Sequence, residues 1–212
     1  MSKRRQEIID RALKLFNEKG FHDVSIKQIA DSLSISPGNL TYYFTKKTDL
    51  LKAIQHQLIQ ETSIDIMPSG YITLYHFEEI FKSYSQIQAK YHFYYNNLQY
   101  IFKTFPEITK SYRIITRKRF RDAKLLINYY IKTGRLKPEN EKINYAYFIR
   151  TIWMISVFWK TYSLMTADAF RDKPSQLDIL WSNAIPLMTE KGYHEYIEII
   201  KFSVSEVARA YH

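Results

Sequence analysis

The chain has 212 residues, 46% hydrophobic and 25% charged, which is enough apolar material for a real core and too much for a disordered chain. Lys and Arg outnumber Asp and Glu by 31 to 21, a net charge of +10 that suits a polyanionic partner such as nucleic acid or an anionic membrane surface. There is no cysteine, so disulfides, thiolate metal sites and cysteine nucleophiles are excluded.

In chain order, the first predicted helix spans Lys3 to Lys19, with Ile8, Ala12, Leu15 and Phe16 on one apolar stripe and Gly20 as its stop. No apolar run of the signal-peptide kind precedes it. A second helix begins at Ser25, whose pairing with Gln28 is the signature of a capping box, and Ile26, Ile29, Ala30 and Leu33 form its apolar face. Ser34-Ile35 reads as a turn. Ser36-Pro37 is an N-cap followed by proline at the first helical position. The short third helix carries Asn39 to Tyr43, and a fourth starts near Lys46 with Leu50, Leu51, Ile54 and Leu58 inward. Met67-Pro68-Ser69-Gly70 is a break. Helical periodicity then marks six longer segments, 73–89, 91–104, 107–133, 143–166, 175–190 and 193–210, with a kink or early end expected at Pro186. No strand alternation interrupts them, so the fold class is all-α. No segment approaches ~18 uncharged apolar residues, so no membrane span is expected and a cytoplasmic location follows.

The segment 25–44 concentrates the functional signal. Two short helices meet across a tight turn, with Ala30 small at their approach and Ile35 and Leu40 as buried anchors. Pro37, Gly38, Asn39, Thr41, Tyr42 and Tyr43 are thereby left largely free of core duty. A helix of about eight residues is ~12 Å long, and the DNA major groove is about as wide. The spacing of Gly20-Phe21, Ser25 to Ala30, Ile35 to Phe44, Lys47 and Leu50 resembles the N-terminal domain of the tetracycline-repressor (TetR) family.

That resemblance implies a DNA-binding transcriptional regulator, a ligand-responsive repressor that binds a pseudo-palindromic operator as a homodimer. Residues 1–47 would be a three-helix helix-turn-helix domain and 48–212 a helical regulatory and dimerisation domain. By position, Pro37, Gly38, Asn39, Thr41 and Tyr43 would face DNA, Tyr42 would lie against sugar-phosphate, and Lys27 would reach a phosphate or base edge. Lys47 would hold a backbone phosphate, and Ser36 would cap the recognition helix and touch phosphate. The chain departs from the family at Ser34, where glycine is usual, and at Thr41, where tyrosine is usual.

Downstream, an aromatic-rich set could line a pocket for a small-molecule effector or simply fill the core; Tyr94, Tyr95, Phe102, Tyr129, Trp153 and Trp159 are its candidates. The helices near 143–166 and 193–210 are the expected dimer interface. Arg113, Arg117, Arg121 and Lys124 share one face of a basic run that is either a second nucleic-acid surface or a solvated helix face. The six histidines lack metal-ligand spacing, and no nucleophile or phosphate-loop signature occurs, so neither a metal, a cofactor nor an enzyme is expected. The competing readings are an architectural DNA binder that no metabolite controls, and a helical enzyme using the aromatic cavity.

Overall fold

A computed structural model describes residues 2–63 and 71–210, with side chains placed through residue 200. The break expected at Met67-Pro68-Ser69-Gly70 lies outside the described residues. The rest is helical: α1 (Lys3–Lys19), α2 (Ile26–Ser32), α3 (Pro37–Tyr43), α4 (Lys47–Glu61), α5 (Leu74–Lys90), α6 (His92–Asn96), α7 (Leu98–Thr104), α8 (Pro106–Lys132), α9 (Tyr145–Met165), α10 (Gln176–Ala184) and α11 (Glu190–Ala210). Among the described residues there is no strand, and no helix is long and apolar enough to cross a membrane. The chain divides into two compact units, residues 1–63 with 86–115, and residues 64–85 with 116–212.

In the first unit, Ile8, Ile9, Ala12 and Phe16 of α1 are buried with Ile29, Ala30, Leu40, Leu50, Leu51 and Ile54. The side chain of Asn17 ties this core to the chain around α6, donating to the Lys90 carbonyl at 2.8 Å and accepting from the Phe93 amide at 3.1 Å. Buried Gln55 donates to the Tyr94 hydroxyl and to the Ile108 carbonyl, so a polar group inside the core is satisfied twice. Burial pushes against ionisation of Glu61, but hydrogen bonds from Lys90, Gln57 and Tyr91 outweigh it and hold the carboxyl below its usual range. The single helix expected over 91–104 is in fact two, α6 and α7. Asn97 breaks it: its side chain donates to the Phe93 carbonyl at 2.7 Å, and its backbone leaves the helical region.

In the second unit, Phe77, Leu126, Ile127, Tyr130, Tyr145, Trp181 and Met188 belong to one buried cluster. α10 ends at Ala184, and Ile185–Leu187 tightens into a 3₁₀ turn at Pro186, which has no N–H to continue the α-helix. The guanidinium of Arg135, 1% exposed, donates to the Glu195 carboxylate at 2.7 Å and to the Tyr71 hydroxyl. The other Glu195 oxygen accepts the Leu74 amide at 2.6 Å, at the start of α5. Gly192 is required beside this pair, because a Cβ there would stand 2.1 Å from the Arg135 carbonyl oxygen.

Two helix ends share one geometry. At the end of α8, the amides of Gly134 and Arg135 donate back to the carbonyls of Ile131 and Tyr130, with Gly134 at φ 73°. At the end of α2, the amides of Ser34 and Ile35 donate back to Asp31 and Ala30, with Ser34 at φ 54°. This is the Schellman arrangement, which needs a left-handed residue after the last turn. Glycine fills the position without strain, whereas serine carries a Cβ penalty of about 1 kcal/mol. Ser34→Gly is therefore expected to raise stability by about 1 kcal/mol, read as a higher denaturant midpoint. An unchanged midpoint would show that the turn is unstrained.

Candidate nucleic-acid interface

Helix α2 is fixed by a reciprocal cap: the Gln28 amide donates to Ser25 Oγ at 3.1 Å, and the Ser25 amide donates to Gln28 Oε1 at 2.7 Å. Helix α3 starts at Pro37 behind Ser36, whose Oγ accepts the Asn39 amide at 3.1 Å. The Ser34 turn between them sends α3 across α2 with Leu40 fully buried, and Phe44 is buried just past its end. One side of α3 is thus committed to the core. The other presents Pro37, Gly38, Asn39 and Thr41 exposed, and Tyr42 84% exposed. Tyr43 is half-buried, its ring edge-to-face with that of Tyr42 at 5.1 Å. Thr41 Oγ1 donates to the Gly38 carbonyl at 3.0 Å, which leaves its oxygen lone pairs and methyl group for a partner. Lys27 is exposed on α2, and Ser36 is exposed at the cap.

Lys47 is placed differently from its neighbours. Its ammonium donates to the His22 carbonyl at 3.2 Å and sits 4.4 Å from the centre of the Phe21 ring. Burial lowers its pKa, opposed by the charge of Asp23. An ammonium has three donors, so two remain for a phosphate. Lys46, one residue earlier, is exposed, while its backbone amide donates to Asp49 Oδ2 at 3.0 Å. Lys46 stands at the start of α4, where the sequence pattern also begins that helix, but the pattern gives it no contact of its own.

Two similarities fit this geometry. Residues 8–54 match the family described as bacterial regulatory proteins of the tetR family, and residues 51–196 match a family described as bacterial transcriptional repressor. The chain belongs to the tetR family. A curated relative of the regulator is the HTH-type transcriptional regulator BetI of Serratia proteamaculans, 45% identical over 56 residues, which are 26% of this chain and 28% of that protein. The BetI of Pectobacterium atrosepticum is 38% identical over 63 residues, 30% of this chain and 32% of that protein. The alignments thus span less than a third of those curated relatives. Over the whole fold, the regulator is similar to a TetR-family transcriptional regulator from Marinobacter aquaeolei VT8, with a TM-score of 0.83 at 23% identity, covering 95% of this chain and 99% of that one. The fatty acid degradation regulator FadR of Bacillus halodurans superposes with a TM-score of 0.63 at 14% identity, covering 90% and 97%.

The six aromatic candidates for an effector pocket fall into different surroundings. In the first unit, Tyr94 is buried and takes a hydrogen bond from Gln55, Tyr95 is half-buried beside it, and the Phe102 ring packs on Tyr112 at 4.7 Å. In the second, the Tyr129 hydroxyl accepts the Ile72 amide, and Trp153 lies edge-on to Phe120 at 5.6 Å. Trp159 alone of the six lines the open cleft of about 340 Å³ formed with Tyr162, Thr166, Phe170, Asp172 and Ile179. Among the described residues, no three His, Asp or Glu side chains are grouped to hold a metal ion.

Proposed function

We propose that the regulator is a ligand-responsive repressor that binds a pseudo-palindromic DNA operator as a homodimer. The observation that carries this reading is the division of α3, with Leu40 buried and Asn39, Thr41 and Tyr42 facing outward on a helix of seven residues, short enough to lie in the major groove. Asn39 and Thr41 read base edges together with Pro37, Gly38 and Tyr43. Tyr42, Lys27, Ser36 and Lys47 hold sugar-phosphate, and exposed Lys46 joins them. Phosphate contacts set register, and the base contacts set sequence.

Dimerisation is supported by α9. Tyr147, Met154, Phe158, Tyr162 and Met165 are exposed, and their offsets of 7, 11, 15 and 18 residues place them within about 80° of one another around the helix. An exposed apolar stripe of this length marks an interaction surface, and a second copy of the chain closes it symmetrically. Effector control is supported by the aromatic cleft around Trp159. A small molecule bound in the larger unit biases a two-state arrangement of the dimer and weakens DNA binding. The BetI alignments span 26% and 30% of this chain, too little to carry information on the effector.

The test is selection from a library of random duplexes by the purified full chain. The expected product is a pseudo-palindrome whose half-sites are centred about 10 base pairs apart, or a multiple of that. A library that emerges unenriched would refute the reading. Within the selected site, Asn39→Ala is expected to relax the preference at one position of each half-site, by about 1–3 kcal/mol. If the preference is unchanged, Asn39 touches phosphate and not a base.

A further inference from the structure

The net charge of this protein is spread along the chain, +4 over residues 1–60 and +6 over residues 61–212. Residues 1–60 hold 10 Lys and Arg against 6 Asp and Glu, whereas residues 61–212 hold 21 against 15. Most of the positive excess therefore lies outside the segment that reads DNA, and part of it is concentrated on α8. Between residues 117 and 124, the exposed side chains are Arg117, Lys118, Arg121 and Lys124, all cations. The one acid of that stretch, Asp122, is half-buried and turned with Arg119 toward Tyr84, whose hydroxyl feels both charges. Asp122 Oδ1 comes only within 3.9 Å of Arg121 Nε, a long contact that leaves the Arg121 side chain 71% exposed.

We propose that this face of α8 binds the phosphate backbone of duplex DNA outside the bases recognised by α3. The inference rests on the DNA-binding reading above. Residues 117 and 124 are about 10 Å apart along the helix, and 10 Å of duplex carries about six phosphates on its two strands. Four cations with no exposed acid among them match that density, and two are arginines, whose planar fork suits phosphate. An anionic membrane is the poorer partner. A helix that lies in a lipid interface needs a broad apolar face beside its cations, and the exposed face here adds only Ile114 and Leu125 to them. The phosphates come either from the flanks of the operator duplex or from a second duplex.

The experiment compares the wild-type full chain with a variant carrying Arg117→Gln, Lys118→Gln, Arg121→Gln and Lys124→Gln. The probes are the selected duplex trimmed to its recognised bases, and the same duplex extended by 20 random base pairs on each side. Both chains are expected to bind the trimmed duplex equally. On the extended duplex the wild type is expected to bind at least tenfold tighter than the variant at 0.1 M salt. Its log K against log[salt] slope is expected to be steeper by about 2 to 3, since each phosphate contact contributes roughly 0.9. If instead the wild type retains a second, labelled duplex on bead-bound trimmed operator and the variant does not, the source is a second duplex. Equal affinity and equal slope for the two chains on the extended duplex, together with equal retention of the second duplex, overturn the proposal. So does loss of binding to phosphatidylserine vesicles alone, with DNA binding unchanged. Failure of the wild type to bind the trimmed duplex would instead remove the DNA-binding reading itself.

Discussion

Glu195→Ala is expected to lower the stability of the regulator by about 3 kcal/mol in urea unfolding at neutral pH. The Glu195 carboxylate serves three groups: the Arg135 guanidinium on one oxygen, the Leu74 amide at the head of α5 on the other, and the positive end of that helix. Removing it strands a guanidinium that is 1% exposed and whose Nη1 already has no partner among the described residues. The magnitude stands at the lower end of the range for broken buried ion pairs, because the Glu195 side chain is itself 21% exposed. The sign reverses when both charges go. Arg135→Met with Glu195→Met leaves no unpaired ion, so the double variant is expected to regain most of the loss and to show a coupling well above 1 kcal/mol in the cycle. A single variant that loses less than 1 kcal/mol would mean that the pair is not closed off from water.

The second large effect falls on α3. Leu40→Ala is expected to cost about 2–5 kcal/mol, because Leu40 has no exposed surface and the cavity left behind cannot fully collapse. A helix of seven residues has little stability of its own, so its order comes from the core contact of Leu40 and from the caps at Ser36 and Phe44. Tyr42→Ala, two positions along, removes a ring that is 84% exposed. It is expected to leave the urea midpoint unchanged while weakening DNA binding roughly tenfold, a loss of about 1.4 kcal/mol. Equal effects of the two substitutions on stability would contradict the orientation of α3.

What was legible in the sequence was local. The Ser25–Gln28 cap, the Ser36-Pro37 start, the turn at Ser34 and the stop at Gly20 all depend on residues within four positions of one another, and these fix α1, α2 and α3. The division of α3 into a buried and an open side followed from the same short-range pattern. What was not legible depended on partners far along the chain. Lys47 settles on the Phe21 ring and the His22 carbonyl 25 residues away, and Arg135 finds Glu195 after 60 residues. The aromatic residues were alike as sequence, and only tertiary packing sorts Tyr94 into a hydrogen-bonded core position and Trp159 onto an open cleft. The break at Asn97 sits between these extremes: its cause is local, but an asparagine in a helical pattern announces neither a cap nor a break.

The central claim, that the open side of α3 enters the major groove, is tested most directly by protection of guanine N7 from methylation on the selected duplex, since N7 lies on the major-groove edge. The wild-type chain is expected to protect guanines in both half-sites. A variant carrying Asn39→Ala and Tyr42→Ala, at concentrations that restore binding, is expected to lose that protection in both. Protection that persists unchanged in the variant, or that never appears with the wild type bound, would contradict the assignment of α3 as the reading helix.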